Sequence, residues 1–188
     1  MKLDLLRHGE TERGGGFRGS LDDALTDTGW AQMRSGVAEA GPWDVLVSSP
    51  LQRCAAFARE LEQRLGLPLH FDADLRELHF GQWEGRSAAE LMEEHGEGLG
   101  LFWNDPYSFT PPDGETLQDF EARVMAAGER LHERFAGQRV LLVTHGGVIR
   151  LLVARARQLP RAQLMQVEVA HGELFRLAVD ESGLRERP

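Results

Sequence analysis

Cysteine is nearly absent from the chain: Cys54 is alone among 188 residues and has no partner within it. An internal disulfide is therefore excluded, and a lone thiol suits a reducing compartment such as the cytoplasm. Long apolar runs are missing too, since no stretch approaches the roughly 20 residues of a membrane span. The first residues show no basic segment followed by an apolar one, so no leader is expected. Positive charge is not in excess. The formal net charge of −9 argues against nucleic acid or anionic membrane as the main partner. Metal-site spacings are lacking: there is no H-E-x-x-H and no cysteine cluster, and neither Glu93-Glu94-His95 nor the pair His70 and His79 is spaced as ligands. No metal and no cofactor is expected. Internal repeats and low-complexity linkers are also absent, and the length suits one well-buried unit, so a single domain over residues 1–188 is expected. Oligomeric state stays open between monomer and homodimer.

What is present is an ordinary globular composition, 41% hydrophobic and 27% charged, with strand-like and helical patterns in alternation. Strand-like runs occur at residues 2–6, 44–47, 69–71, 140–143 and 174–179, with a weaker edge candidate at 166–169. Thr26 opens a helix bearing Trp30, Met33, Val37 and Ala38 on its apolar face. Ser49-Pro50 opens the next, with proline in the first turn and Leu51, Cys54, Ala55, Ala58, Leu61 and Leu65 at helical spacing. Thr116 caps a third, with Phe120, Val124, Ala127, Leu131 and Phe135, ended by Gly137. Gly146-Gly147 precede a fourth over residues 148–155. The alternation predicts an α/β three-layer sandwich, a mostly parallel central sheet with helices on both faces. The apolar runs Val45-Leu46-Val47 and Val140-Leu141-Leu142-Val143 suit strands buried on both sides.

Polar residues cluster where these strands end, the edge at which open α/β sheets bind ligands. Arg7-His8-Gly9 follows the first strand. His8 reads as a nucleophile for a phosphoryl group and Arg7 as a clamp on its oxygens, or both are polar residues that close a strand. Arg53 lies in the first turn of a helix, where the helix dipole disfavours a cation. An anion held there by backbone amides and the guanidinium would explain it, and so would plain solvation. Glu77, in Asp74-Leu75-Arg76-Glu77, is either a proton donor or half of an ion pair with Arg76. In Thr144-His145-Gly146-Gly147, a buried strand ends on a histidine, and two glycines bring backbone N–H groups close to whatever binds.

Taken together, Arg-His-Gly after the first strand, an arginine opening a helix and His-Gly-Gly after a central strand resemble the histidine phosphatase superfamily, which includes the cofactor-dependent phosphoglycerate mutases. The motifs run from Leu5 to Arg150 in the family's order. The stretches from Leu75 to Gly85 and Pro111-Pro112-Asp113-Gly114-Glu115-Thr116 look most like the α-ribazole phosphatase branch. That resemblance implies a phosphoglycerate mutase-like fold and a metal-independent two-step transfer. His8 would attack phosphorus and become phosphohistidine, which water then cleaves. Arg7, Arg53 and His145 match the family's phosphate pocket, with Gly146 beside them, and Glu77 matches the position that protonates the leaving oxygen. Many relatives carry a polar residue six places after the nucleophile. Here that place is Gly14, in Gly14-Gly15-Gly16, which reads either as a flexible surface loop or as one whose amides replace that contact; Arg18 and Thr11 are the other candidates for it.

The implied substrate is a small phosphate monoester, with α-ribazole 5′-phosphate of cobalamin assembly as the best match. Alternatives are a broad-specificity sugar or nucleotide phosphatase, a phosphoglycerate mutase and a non-catalytic phosphate-binding module. Mutases of the family generally carry more inserted sequence and a tail over the site, which makes hydrolysis the expected outcome here. Residues 78–114, with Trp83, Trp103 and Tyr107 among glycines, prolines and acids, read as an inserted lid or pocket wall. Within it, Gly96-Glu97-Gly98-Leu99-Gly100 reads as a mobile connector. Neither His132 nor His171 has an expected role.

Overall fold

The computed structural model describes residues 1–181 and 183–187. Six strands form one sheet: β1 (Lys2–Arg7), β2 (Val45–Ser48), β3 (Leu69–Phe71), β4 (Arg139–Thr144), β5 (Leu174–Asp180) and β6 (Gly183–Glu186). Their order is β3-β2-β4-β1-β5-β6, with β1, β2, β3 and β4 mutually parallel, β5 antiparallel to β1, and β6 antiparallel to β5. The helices are α1 (Asp27–Val37), α2 (Gln52–Leu65), α3 (Ala88–Asn104), α4 (Leu117–Arg134) and α5 (Gly146–Ala156).

Alternating side chains of the central strands point to opposite faces, and each face has its own cover. Leu6, Leu46, Leu141 and Val143 meet Met33 and Val37 of α1 and Cys54, Phe57 and Leu61 of α2. Leu3, Leu5, Val45, Val47, Val140 and Leu142 face the other way, onto α4 and α5. This is the expected three-layer arrangement, and it explains why residues 45–47 of β2 and 140–143 of β4 are apolar on both faces. Burial of Cys54 among these side chains pushes its thiol up to about 12, so it stays protonated.

Helix starts follow the expected chemistry at Thr26 and Thr116, whose hydroxyls accept from the amides of Gly29 and Asp119. Elsewhere the structure departs from expectation. Pro50 lies outside α2, which begins at Gln52 after Leu51. Its first amide is taken by the Asp22 carboxylate at 2.6 Å, so this helix start is closed by a side chain and is not open to an anion. Gly146 and Gly147 form the first turn of α5 instead of preceding it. The stretch 96–100 is no connector: it lies within α3, which bends at His95 (φ −138°, ψ 34°). A Ser87–Glu90 capping box starts that helix, and its Leu91, Leu99 and Phe102 are buried. Gly98 is small because a Cβ there would stand 2.7 Å from the Phe109 ring.

Residues 166–169 form no strand. They follow a short 3-10 helix (Arg161–Gln166), and two of their carbonyls serve arginine side chains instead of a neighbouring strand. Arg150 Nε donates to the Val167 carbonyl at 2.9 Å, and Arg7 Nη1 donates to that of Val169. The extra strand β6 was not expected, because Gly-Leu-Arg-Glu on a sheet edge carries almost no apolar alternation.

Candidate active site

The register of β1 against β4 builds the centre of the site. Arg7 pairs with Thr144, so the next residue of each strand, His8 and His145, emerges at the same edge. The His8 amide donates to the Thr144 carbonyl, and the two imidazoles stand 5.3 Å apart, edge to face.

Each histidine is held in one tautomer. His8 Nδ1 lies 2.8 Å from the Gly9 carbonyl oxygen, which can only accept, so the ring proton sits on Nδ1 and Nε2 carries the lone pair. Burial, then the Arg53 and Arg7 charges, hold His8 well below the ordinary histidine range, so it is neutral near pH 7. His145 receives Arg53 Nε–H on Nδ1 at 3.3 Å, which leaves Nε2–H to donate to Ser49 Oγ at 2.7 Å. Complete burial and the same arginine keep His145 neutral as well.

This arrangement has a consequence for stability. Both rings resist protonation in the fold, whereas in the unfolded chain they titrate near an ordinary value of 6.5. Below that pH the unfolded chain binds more protons, so stability falls as pH falls from 6.5 toward the folded values. The limiting slope is about 1.4 kcal/mol per pH unit for each histidine. Melting temperature is expected to be level from pH 8 to 7 and to drop between pH 6.5 and 5.5. A melting temperature that stayed level to pH 5.5 would contradict the buried neutral pair.

A cleft opens over His8, walled by Arg7, Thr11, Arg18, Glu77, Gly146 and Arg150, with residues 14–16 along one side. Glu77 is the only acid among its described lining residues, so a chain of net charge −9 presents a locally cationic cleft. Arg7 rests against Gly146, where a Cβ would come within 3.3 Å of its Nε. That Nε is buried without a hydrogen-bond partner among the described residues. The Glu77 carboxylate accepts from the amides of Gly147 (2.9 Å) and Leu78 (3.0 Å). Gly147 lets the carboxylate come this close, since a Cβ there would stand 2.2 Å from Glu77 Oε1 and push it from its place. Arg18 pairs with Asp23 at 2.5 Å, and Thr11 is buried at an isolated bridge to Leu25.

Arg53 and His145 lie behind this cleft and not on its wall. Arg53 is fully buried, with Nη1 on the Leu21 carbonyl and Nη2 on those of Gly19 and Arg18. It braces the 18–21 loop and acts on His8 by its charge.

Two residues of the cleft, Arg150 and His171, were given no role from sequence. Arg150 stands one turn after Gly147 on α5, a spacing that could have found it. His171 arrives from the turn before β5, and no local pattern signals that. Of the three bulky residues in the inserted segment, Trp83 is buried against Phe17, Phe102 and Phe109, and Tyr107 hydrogen-bonds Glu121 at 2.6 Å. Only Trp103 faces the cleft. With Phe17, Phe80, Phe102, Leu164 and Met165 it walls a small apolar hollow, which shares Glu77, Gly147 and Arg150 with the cleft over His8.

Residues 3–187 match the family described as the histidine phosphatase superfamily (branch 1). The chain is 34% identical over 176 residues to the adenosylcobalamin/alpha-ribazole phosphatase of Salmonella typhimurium, covering 92% of this chain and 87% of the relative. It is 33% identical over 173 residues to the glucosyl-3-phosphoglycerate phosphatase of Mycobacterium tuberculosis, covering 86% and 77%. The crystal structure of the alpha-ribazole phosphatase from Shigella flexneri superposes with a TM-score of 0.85 at 31% identity, covering 100% of this chain and 95% of that one. With a strand-end histidine neutral beside an arginine-lined cleft and a family match over nearly its whole length, the chain belongs to the histidine phosphatase superfamily.

Proposed function

We propose that this protein is a metal-independent phosphomonoesterase that works through a phosphohistidine on His8. The observation that carries the reading is the His8 tautomer, with its proton committed to Gly9 and the Nε2 lone pair left for phosphorus. In the first step Nε2 forms a bond to phosphorus while the ester P–O bond breaks. The leaving oxygen takes its proton from Glu77. In the second step water attacks phosphorus, its proton passes to Glu77, and the P–N bond breaks with its electron pair returning to Nε2. Arg7, with an unpartnered buried Nε, neutralises the phosphoryl oxygens, and Arg18, Thr11, Gly146 and Arg150 flank them. Arg53 and His145 support this from behind.

The apolar hollow beside Glu77 sits where a leaving group would extend. Its aromatic and aliphatic walls favour a flat, weakly polar group over a sugar-glycerate, which brings many hydroxyls and a carboxylate that such walls leave unpaired. The alpha-ribazole phosphatases among the relatives then suggest α-ribazole 5′-phosphate, whose benzimidazole suits the hollow. Residues 78–114 supply much of that wall, and the cytoplasm is the setting the reading requires.

Phosphate release from p-nitrophenyl phosphate should persist in EDTA, and loss on chelation would sink the mechanism. Among phosphorylated metabolites, kcat/KM for α-ribazole 5′-phosphate should exceed that for phosphoserine, 3-phosphoglycerate and glucosyl-3-phosphoglycerate. Trp103→Ala should raise KM for α-ribazole 5′-phosphate by about 3- to 10-fold, the value of one aromatic contact. Equal KM values in variant and wild type would remove the base from the hollow.

A further inference from the structure

His171 stands at the mouth of the cleft, its ring centroid 5.7 Å from that of His8 and tilted by 42°. Its position is set by backbone and not by chance packing. The amide of Gly172 donates to the Arg7 carbonyl, and the amide of Arg7 donates to that of Glu173, so the turn is tied to the end of β1. Gly172 has φ +71°, and a Cβ there would stand 2.5 Å from the Gln32 carbonyl of α1. The Gly172 carbonyl in turn fills the space above Gly36, where a Cβ would come within 2.0 Å. A solvent-exposed imidazole is thus mounted on a rigid turn beside the nucleophile.

Building on the phosphatase reading, we propose that His171 is a further phosphate-side residue, which hydrogen-bonds the phosphoryl oxygens carried at His8 and takes up a proton from solvent when they arrive. The charges around it decide when that happens. Arg7 and His8 face it from the end of β1, Glu10 from the loop that follows, and Arg150 and Arg18 across the cleft; Glu173, on its own turn, is occupied by the Ala170 amide. Partial burial and Arg7 hold the ring below its ordinary range, with Glu10 acting the other way. A dianion reverses that balance, because its negative charge favours the imidazolium over the neutral ring. The buried ring of His145 does not share this freedom, since both of its nitrogens are committed within the protein; at His8 only Nδ1 is, so the His171→Gln variant is what separates a proton taken up at His171 from one at His8.

The test is calorimetric titration of the full chain with tungstate, which stays a dianion near neutral pH, in two buffers of different ionisation enthalpy. Wild type should take up about one proton per tungstate bound. His171→Gln keeps a hydrogen-bond donor but cannot be charged; it should bind about tenfold more weakly at pH 6.5 and take up no proton. In parallel, the His171 ring resonance of the wild type should titrate at higher pH with tungstate than without it. Equal proton uptake by variant and wild type, or an unmoved His171 titration, would overturn the role of His171 and leave the phosphatase reading standing. Absence of tungstate binding by the wild type would overturn the phosphate-binding reading itself.

Discussion

His8→Ala is expected to lower turnover of any phosphate monoester by about 10⁴-fold or more, the scale on which enzymes lose rate when their nucleophile is removed. The wild type should yield a phosphorylated form that is labile in acid and stable in base, and the variant should yield none. The substitution removes a ring that is only 7% exposed, so a folding control is needed. The structure supplies one. Arg7 and Arg18 keep their own partners in Val169 and Asp23, so the variant should still bind tungstate. It should also lose less stability than the wild type between pH 6.5 and 5.5, because one buried neutral imidazole is gone. Near-normal turnover in a variant that binds tungstate would show that another atom attacks phosphorus.

The second large effect concerns Glu77 and depends on the leaving group. Glu77→Gln keeps the size of the side chain and one carbonyl oxygen to accept from the Gly147 or Leu78 amide. It cannot give a proton. For a ribosyl or alkyl phosphate the leaving alkoxide needs that proton, and kcat should fall by about 10² to 10⁴. The p-nitrophenolate ion leaves readily without one, so its release in the first turnover should fall much less, while the later hydrolysis of the phosphohistidine, which also uses Glu77, slows equally for both substrates. A Brønsted plot of rate against leaving-group pKa should be steep in the variant and shallow in the wild type. Equal losses in the first-turnover rate on both substrates would mean that Glu77 only orients the site, through its contacts with Gly147 and Leu78.

Placement of side chains around this acid and nucleophile was legible in part. Arg7-His8-Gly9 and His145-Gly146-Gly147 could be assigned to strand ends because a buried apolar run stops and a glycine follows, which is a local signal. The helix starts at Thr26 and Thr116 were legible for the same reason, since a capping hydroxyl acts within three residues. Arg53 was recognised as anomalous in a first helical turn, but its partners are loop carbonyls from 32 to 35 residues away, and no spacing reveals those. The glycines at 96, 98 and 100 suggested a connector because no strand precedes them and their spacing fits no nucleotide-binding loop, while three glycines in five residues also weaken a helix. Burial of Leu91, Leu99 and Phe102 outweighed that weakening, with about 1.5–3 kcal/mol available per fully buried side chain against roughly 1 kcal/mol lost per glycine. The 166–169 stretch looked like an edge strand, and two arginine side chains took its carbonyls.

By itself, the sequence determined the class of fold, the four strand-end clusters and the chemistry that a histidine beside an arginine invites, because each depends on residues close together in the chain. The tertiary structure decided the rest. Strand order set β4 beside β1, so that one register step brings His8 and His145 together, and set β5 on the other side, so that the turn before it delivers His171. Packing sent Arg53 behind the cleft, raised Arg150 to its wall and placed Trp103 beside Phe17 and Phe80 where cleft and hollow meet. Local propensity acts over a few residues, whereas strand order and the burial of charge are settled by contacts across the whole chain.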